Sequence, residues 1–503
     1  MGWKESCIVI RFWIIAVILA LVGLSTTPLG RIRHDYDTGH REEKIGVYGL
    51  GLTGVSVCQA LVASGAEVFC WDEKSEAREK TENTKYAAEH PKQWPWKDLS
   101  SLVVSPGVPL THPKPHVIVR KARLEGVEII GDIELFARAV NALDENERPR
   151  VIAITGSNGK STTTALTGHI LKETGRDAFI GANIGAPLLL LPELSKQNTY
   201  VLELSSFQLD LAQSLRANTA ILMNLSPDHI DRHGDMDGYI AAKKRIFNNQ
   251  TARDAAIIGV DDLYSQSVCV EMTARAQAQV IPVSSEGALG HGVFALAGRV
   301  FYSLEEKSGE AGDITKIASL RGSHNWQNAC AALAAVMREG VAPSVAIRAM
   351  ERFQGLSHRM EIVATKGGVI FVNDSKATNA DAAARALKSY KDVFWIAGGR
   401  AKEGGVASLV PLMNRVRGVY LIGEAGAQFE QELGDAAKCR QCGDLANAVE
   451  EAARDAAKSG LSSAVVLLSP ACASFDQFTN FEERGDAFRR AASEAIKLNG
   501  EAA

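Results

Sequence analysis

From Lys44 onward the chain repeats one pattern. A short apolar run meets a glycine or polar turn, and a longer amphipathic stretch follows, its apolar positions recurring every three or four residues. Short buried runs alternating with amphipathic ones predict βαβ units, parallel strands with helices on the sheet faces. The rhythm is interrupted twice. The polar stretch Asn141–Arg150 reads as a linker, and Gly355 breaks a helix before a new strand rhythm starts in Phe353–Val363. Four segments result: 1–41, 42–144, 145–355 and 356–503.

Segment 1–41 stands apart. Cys7–Leu24 is apolar except for Arg11, follows Lys4, and gives way to a polar linker carrying Arg31, Arg33 and Arg41. Its length nearly spans a bilayer and also matches a signal-peptide core. A membrane anchor, a signal peptide and a stretch translated from an upstream start remain open, although a need for ATP argues against export. Membrane contact is expected only if this segment belongs to the cellular protein.

The first block opens with the strand Lys44–Tyr48, then Gly49, Gly51 and Gly54 in GxGxxG spacing, then a helix. Asp72 ends the next strand at the offset of a ribose-binding acid. Glycines let backbone approach a diphosphate, and a helix N-terminus favours negative charge. Val103–Pro109 supplies a second strand-end turn. This is a Rossmann-like pattern, which alone also fits a nicotinamide-dependent oxidoreductase or a structural turn.

The second block opens with "VIAITGSNGKSTTT", Val151–Thr164. A strand runs into a turn whose N–H groups form an anion nest. Lys160 follows to reach terminal phosphates, and Ser161 or Thr162 to ligate Mg²⁺. Glycine is absent at Ile154, so the loop is a variant of the usual one. Two more apolar runs end in hard ligands, Glu203 on one and Asn224, Asp228 and His229 on the other, which suits Mg²⁺ beside a phosphate. Lys243 and Lys244 fall on an amphipathic helix, where such a pair usually faces water. The third block ends its strands in Asp374, Ser375, Lys376, Thr378 and Asn379, in a glycine turn with Lys402, and in Ser469, Ser474 and Asp476. Polar groups converging on one edge of a parallel sheet make a site for a small polar ligand, and two lysines with hydroxyls suit carboxylates. His358-Arg359 lies at the block junction, where a guanidinium can reach phosphate.

The expected fold is therefore α/β in three domains: Rossmann-like, then a central P-loop ATPase-type parallel sheet, then Rossmann-like again. A nucleotide-tagged substrate, ATP and a charged small molecule would occupy them in turn. That arrangement points to ligation. Phosphorylation turns a carboxylate, a poor amine acceptor, into an acyl phosphate that an amine attacks readily, with Lys160 and Mg²⁺ offsetting charge on the moving phosphoryl group. A P-loop nucleotide switch or a membrane-tethered binding module, suggested by segment 1–41, is the other class left open.

Composition changes this picture little. The 503 residues are 46% hydrophobic, and 55 Lys+Arg against 59 Asp+Glu give a net charge of −4, so there is no electrostatic case for nucleic acid. The eight cysteines, scattered from Cys7 to Cys472, read as reduced thiols of a cytosolic enzyme. Cys439-Arg-Gln-Cys442 lacks a second pair and reads as a mobile surface segment.

The motifs resemble those of the Mur ligases from about Lys44 to the C-terminus. "TGSNGKST", "GANIGAP", "ELSSFQLD", "SPDHIDRH", "GSHNWQNACAA" and "GLSHRMEIV" look like that family's signatures, and "NDSKATN" and "SPACASFDQF" like those of its D-glutamate-adding branch. The resemblance implies a cytoplasmic, monomeric enzyme using ATP and Mg²⁺ to join D-glutamate to UDP-N-acetylmuramoyl-L-alanine in peptidoglycan synthesis. It implies that Leu52, Thr53, Glu73, Lys74, Ser105 and Gly107 hold the UDP end and that Asn183 and Ser205 touch the sugar and lactyl part. Glu73-Lys74 stands where some members carry Thr-Arg. ATP would contact Ser157, Asn158, Gly159, Lys160, Ser161, Thr162, Thr163, Asn325, Asn328, Arg359 and Asp374. Catalysis would rest on Lys160, Glu203, His229 and Lys243, and Mg²⁺ on Ser161, Glu203, His229 and a carbamylated Lys243. D-Glutamate would meet Lys376, Thr378, Lys402, Ser474 and Phe481.

Overall fold

The apolar run that opens the rhythm is strand β1 (Lys44–Tyr48), followed by helix α1 (Leu52–Ala63) and strands β2 (Glu67–Trp71), β3 (Leu99–Val104) and β4 (Glu128–Ile130). A computed structural model describes residues 43–304, 307–401 and 404–498; the anchor or signal expected at 1–41 lies outside them. Among the described residues no helix is long and apolar enough to cross a membrane. The first four strands pair in parallel in the order β2-β1-β3-β4, so the turns after β1 and β3 leave the same edge. Helix α2 (Asp132–Ala142) follows, and the expected linker after it is braced: Arg148 donates to the carbonyls of Leu143 and Asn141.

Six further strands pair in parallel: β5 (Arg150–Thr155), β6 (Asp177–Ala182), β7 (Asn198–Glu203), β8 (Thr219–Leu222), β9 (Ala255–Gly259) and β10 (Gln279–Ser284), in the order β10-β9-β8-β5-β7-β6. Their helices include α3 (Lys160–Glu173), which springs from the loop after β5, α4 (Ser206–Leu209), α5 (Ile230–His233) and α6 (Met236–Lys244). Val151–Ile154 and Tyr200–Leu202 are almost wholly buried, as expected of strands covered on both faces. An antiparallel meander, β11 (Gly292–Leu296), β12 (Arg299–Leu304) and β13 (Lys307–Asp313), precedes helix α7 (Ser323–Arg338). The sequence rhythm did not distinguish these hairpins from the surrounding parallel units.

The last sheet has the order β14-β15-β19-β16-β17-β18, built from β14 (Glu361–Lys366), β15 (Val369–Asn373), β16 (Val393–Gly398), β17 (Val416–Ile422), β18 (Cys439–Gly443) and β19 (Ala464–Leu468). All pairs are parallel except β14 with β15. Helix α8 (Ala380–Ser389) lies between β15 and β16, and α9 (Phe481–Leu498) ends the described chain. One correction concerns the CxxC segment. It is strand β18 at the edge of this sheet, not a mobile loop. Cys439 packs against the core on one face and Cys442 against the core on the other, so the pair cannot close on one metal or on each other.

The described residues form two compact units. One takes in the residues up to Lys160 with 171–283 and 334–341. The other takes in 161–170, 284–333 and those from Ala342 onward.

Candidate active site

In the first unit, the glycine turn after β1 is shaped by close backbone approach. A Cβ at Gly54 would strike the Gly49 carbonyl, and Gly49 itself has φ +103°. Asp72 accepts from the amides of Leu50 at 2.6 Å and Lys74 at 2.9 Å. The acid read as a ribose ligand thus engages one oxygen with the glycine turn and the other with the backbone just after β2. Leu52 is 83% exposed at the start of α1, and Thr53 is half-buried beside it. Ser105 and Gly107 form the turn after β3, where the Val108 amide donates to the Ser105 carbonyl at 2.9 Å. Glu73 accepts from the Tyr48 hydroxyl, while Lys74 immediately precedes a short helix, Ser75–Glu79. Gathered at one sheet edge, these residues can hold a nucleotide diphosphate.

The phosphate loop follows β5. A Cβ on Gly156, φ +144°, would lie 2.9 Å from the Met223 side chain, so only glycine fits the turn against the β8 end. Asn224 holds Asn158 from both sides, accepting from its amide at 2.9 Å and donating to its carbonyl at 3.2 Å. Ser157 meets the Tyr239 hydroxyl and the Ser226 carbonyl, each at 3.0 Å. Lys160 folds back to donate to the carbonyls of Gly156 and Ser157. Gly159 has φ +86°, and Ser161 and Thr162 begin α3 nearly buried.

Register places Glu203 beside Ile154 at the root of this loop. One carboxylate oxygen accepts from Asn183 at 2.8 Å. The other is buried with no hydrogen-bond partner among the described residues. An orphaned, buried carboxylate oxygen is unfavourable unless a cation meets it. Ser205 caps α4 and accepts from the Gln208 amide. His229 adopts φ +54°, packs its ring tilted against Phe207 at 4.9 Å between centres and lies 3.4 Å from Asp228. Burial first, with Lys243 and Lys160 adding to it against Asp228, holds its imidazole below the usual range, so the neutral, metal-binding form prevails at neutral pH.

Lys243 is 2% exposed. Its ammonium donates to the Gly156 carbonyl at 2.8 Å and lies 3.4 Å from the Thr155 hydroxyl. Burial, reinforced by the Lys160 cation, lowers its pKa well below the usual lysine value. Lys244, by contrast, pairs with Glu271 at the surface. The structure thus separates two lysines that periodicity put on one solvated face. Among the described residues no three His, Cys, Asp or Glu side chains cluster closely enough to hold a metal. The Mg²⁺ set expected here has one carboxylate, one imidazole and hydroxyls; a carbamate on Lys243 would supply its second carboxylate.

In the second unit, the Thr163 hydroxyl meets Asn328 at 3.2 Å, and Asn328 donates to Asn325 at 2.9 Å, all three nearly buried. Asp374 is fully buried at the end of β15. Ser469 donates to it at 2.8 Å and the Met360 amide at 3.2 Å. Burial pushes its pKa up to about 7, against the opposing effects of Ser469 and Arg359. Arg359 keeps a buried Nε without a hydrogen-bond partner among the described residues. Lys376 places its ammonium 5.5 Å from the Phe481 ring centre, the Thr378 amide donates to the Lys376 carbonyl, and Ser474 is 2% exposed in the loop after β19. Lys402 lies outside the described residues. Three partners here were not singled out from sequence. Tyr239 bonds Ser157. His324, held near pKa 3 by burial with Arg385 and Arg359 beside it, stays neutral next to Asn325. Arg484 braces the loops after β15 and β19. Each joins groups far apart in the chain and carries no local signal.

The chain was compared with known families, curated proteins and solved structures. Residues 43–131 match the Mur ligase MurD-like N-terminal domain, 154–336 the Mur ligase middle domain, and 358–472 the Mur ligase glutamate ligase domain. A UDP-N-acetylmuramoylalanine–D-glutamate ligase of Caulobacter sp. (strain K31) is 52% identical over 90% of this chain and 97% of its own length. The protein of that name from Brucella abortus (strain 2308) is 46% identical over 90% and 96%. Among solved structures, MurF of Acinetobacter baumannii aligns with TM-score 0.56 at 19% identity, covering 91% of this chain and 92% of that one. MurF ligase of Thermotoga maritima, solved in complex with ADP, aligns with TM-score 0.55 at 16% identity, covering 94% and 99%. These structural likenesses bear out the three-domain α/β fold.

Proposed function

The chain belongs to the Mur ligase family, and from that premise we propose that it is an ATP-dependent ligase joining D-glutamate to UDP-N-acetylmuramoyl-L-alanine in peptidoglycan precursor synthesis. The observation that carries the choice of substrates is the 52% identity, over nearly the full length of both chains, with a D-glutamate ligase. The polar strand ends after β15 and β19, where lysine and hydroxyls gather, agree with a dicarboxylate ligand.

Segment 42–144 takes the UDP end of the substrate on the turns after β1 and β3, with Leu52, Thr53, Glu73, Lys74, Ser105 and Gly107. Asn183 and Ser205 face its sugar and lactyl part. Segment 145–355 takes ATP phosphates on Ser157–Thr163, with Asn325 and Asn328 near adenine; Arg359 and Asp374 complete the nucleotide contacts from segment 356–503. That last segment takes D-glutamate on Lys376, Thr378, Lys402, Ser474 and Phe481.

The substrate carboxylate attacks the γ-phosphorus of ATP, the bond to the β-phosphate oxygen breaks, and ADP leaves. The resulting acyl phosphate is attacked by the D-glutamate amine, which loses a proton, and inorganic phosphate departs as the amide forms. Lys160 and the loop amides counter the charge spread over the transferring group. The orphaned Glu203 oxygen, neutral His229 and the Ser161 hydroxyl fit Mg²⁺, with Lys243 as carbamate. The metal would supply Lewis-acid neutralisation of phosphate charge. A largely uncharged Lys243 amine is the form that adds to CO₂, and burial favours that form.

The test is phosphate release from MgATP with UDP-N-acetylmuramoyl-L-alanine and a panel of amino acids. Release that requires both the UDP substrate and D-glutamate is expected. Release that ignores every amino acid returns the nucleotide-switch reading.

A further inference from the structure

The central parallel sheet has a second polar edge. Strands β5, β8 and β9 are neighbours, and their starts lie at the end opposite the phosphate loop. A cavity of about 210 Å³ opens there, between those strand starts and the linker after α2. Four guanidiniums line it, from Arg148 in the linker, Arg150 opening β5, Arg216 before β8 and Arg253 before β9. Only two carboxylates do so, Glu145 and Asp254.

Three of the guanidiniums are held in place. Arg150 forks onto Glu339 at 2.9 and 3.0 Å. Arg216 donates through Nε to buried Asp254 at 2.9 Å and through Nη2 to the Thr251 hydroxyl at 3.0 Å. Arg148 spends Nε and Nη2 on the carbonyls of Leu143 and Asn141 and keeps Nη1 over. The Asn218 side-chain carbonyl accepts from the Val151 amide at 2.8 Å, which leaves its NH₂ as a further donor in the wall. Asp254 is committed, since it also accepts from the Thr251 amide and hydroxyl. Glu145 is not. Its side chain is 49% exposed, and it lies 3.4 Å from Arg216 and 3.2 Å from Arg253.

Exposed pairs of this length contribute little to stability. Guanidiniums already held in place, by contrast, have lost the side-chain freedom that binding would otherwise cost. A single ligand carboxylate would only replace Glu145. A phosphate brings up to two charges and a third oxygen, enough to engage Arg148 as well, and its oxygens match the guanidinium forks. The cavity is several times the share of one water, about 30 Å³, so a short carbon chain fits beside the phosphate. We infer that this cavity is a second ligand site, taking a small phosphate monoester whose dianion displaces the Glu145 carboxylate from Arg216 and Arg253 and adds Arg148. None of the lining residues is among those given to ATP, the UDP substrate or D-glutamate, so the site stands apart from the proposed ligase chemistry.

The probe is glycerol 3-phosphate, titrated by calorimetry into the full chain at fixed ionic strength with MgADP saturating. One site with Kd of about 1 mM or tighter is expected. Arg148→Gln and Arg253→Gln should each weaken it about fivefold or more. Glu145→Gln removes the competing carboxylate and should tighten it about threefold. Lys160→Ala, at the phosphate loop, should leave it unchanged. Arg253 and Glu145 are exposed, so their variants should melt with the wild type and keep the test valid if Arg148→Gln is destabilised. Succinate, with two carboxylates and no phosphate, should bind about tenfold more weakly. Equal binding of succinate overturns the phosphate assignment. The site itself is overturned by no saturable heat up to about 50 mM probe, by a signal that Lys160→Ala abolishes, or by Glu145→Gln and Arg253→Gln shifting Kd in the same direction.

Discussion

Lys243 and Arg484 are both buried basic side chains, 2% and 1% exposed, and burial lowers the pKa of each with different chemical consequences. At Lys243 desolvation, with Lys160 nearby, lowers the pKa well below the usual lysine value and so favours the neutral amine beside the phosphate loop. At Arg484 the same desolvation lowers the pKa only to about 10, and the guanidinium stays charged. The lesson is that the two residue types are not interchangeable: a buried lysine becomes a nucleophile, whereas a buried arginine remains a fixed charge with directional donors.

The largest expected effect breaks the comparison at Lys243. Lys243→Ala should lose about 10³-fold in kcat, and acetate or formate should restore part of it by standing in for a carbamate. Lys243→Arg, which keeps a charge there, should stay inactive with or without the carboxylate. Full activity of the untreated Ala variant would remove Lys243 from the chemistry. Glu203→Gln comes next. Losing the charge of the orphaned oxygen should lower kcat about 10²-fold and raise the Mg²⁺ concentration needed for half-maximal rate; an unchanged metal requirement would contradict the role given to it.

Legibility followed how local each signal was. The strand-loop-helix of Val151–Thr164 and the strand ends bearing Glu203, Asp374 and Ser474 were visible because an apolar run ending in glycine or hydroxyls is a contiguous signal. The choice between Lys243 and Lys244 was not legible in periodicity, since adjacent positions on a half-buried helix differ only in what lies opposite. In the fold those partners are the Gly156 carbonyl and Glu271. The Cys439–Cys442 spacing looked like a loop motif, but three residues along a strand reverse the face. Arg484 lies in "FEERGDAFRR", where it resembles any helix-surface charge; its partner Ser375 is 109 residues away. Asp72 sits where a ribose ligand is expected, yet its oxygens accept from the backbone amides of Leu50 and Lys74.

A smaller effect sharpens the contrast between buried charges by adding a buried acid. Folded Asp374 binds its proton up to about pH 7, while its ordinary value is 3.8. The folded state therefore holds more protons than the unfolded one between these values. This group's contribution to stability is greatest below about pH 4, falls as pH rises toward 7, and then levels off. Asp374→Asn removes that slope, so relative to wild type it should gain roughly 1–3 kcal/mol between pH 5 and pH 8 in denaturant melts. A parallel pH profile for the two proteins would show that Asp374 is already ionised at low pH. The smallest effect is expected at Tyr239, whose hydroxyl meets Ser157 at 3.0 Å. Tyr239→Phe should raise KM for ATP only a few-fold, about the worth of one neutral hydrogen bond, with kcat nearly unchanged.

The measurement that most directly tests the ligase account is the fate of the carboxylate oxygen. UDP-N-acetylmuramoyl-L-alanine labelled with ¹⁸O in its alanyl carboxylate is turned over with MgATP and D-glutamate, and the released phosphate is weighed by mass spectrometry. An acyl phosphate attacked by an amine leaves one labelled oxygen in each phosphate. Unlabelled phosphate would mean that water, not the substrate carboxylate, receives the phosphoryl group, and would contradict the account.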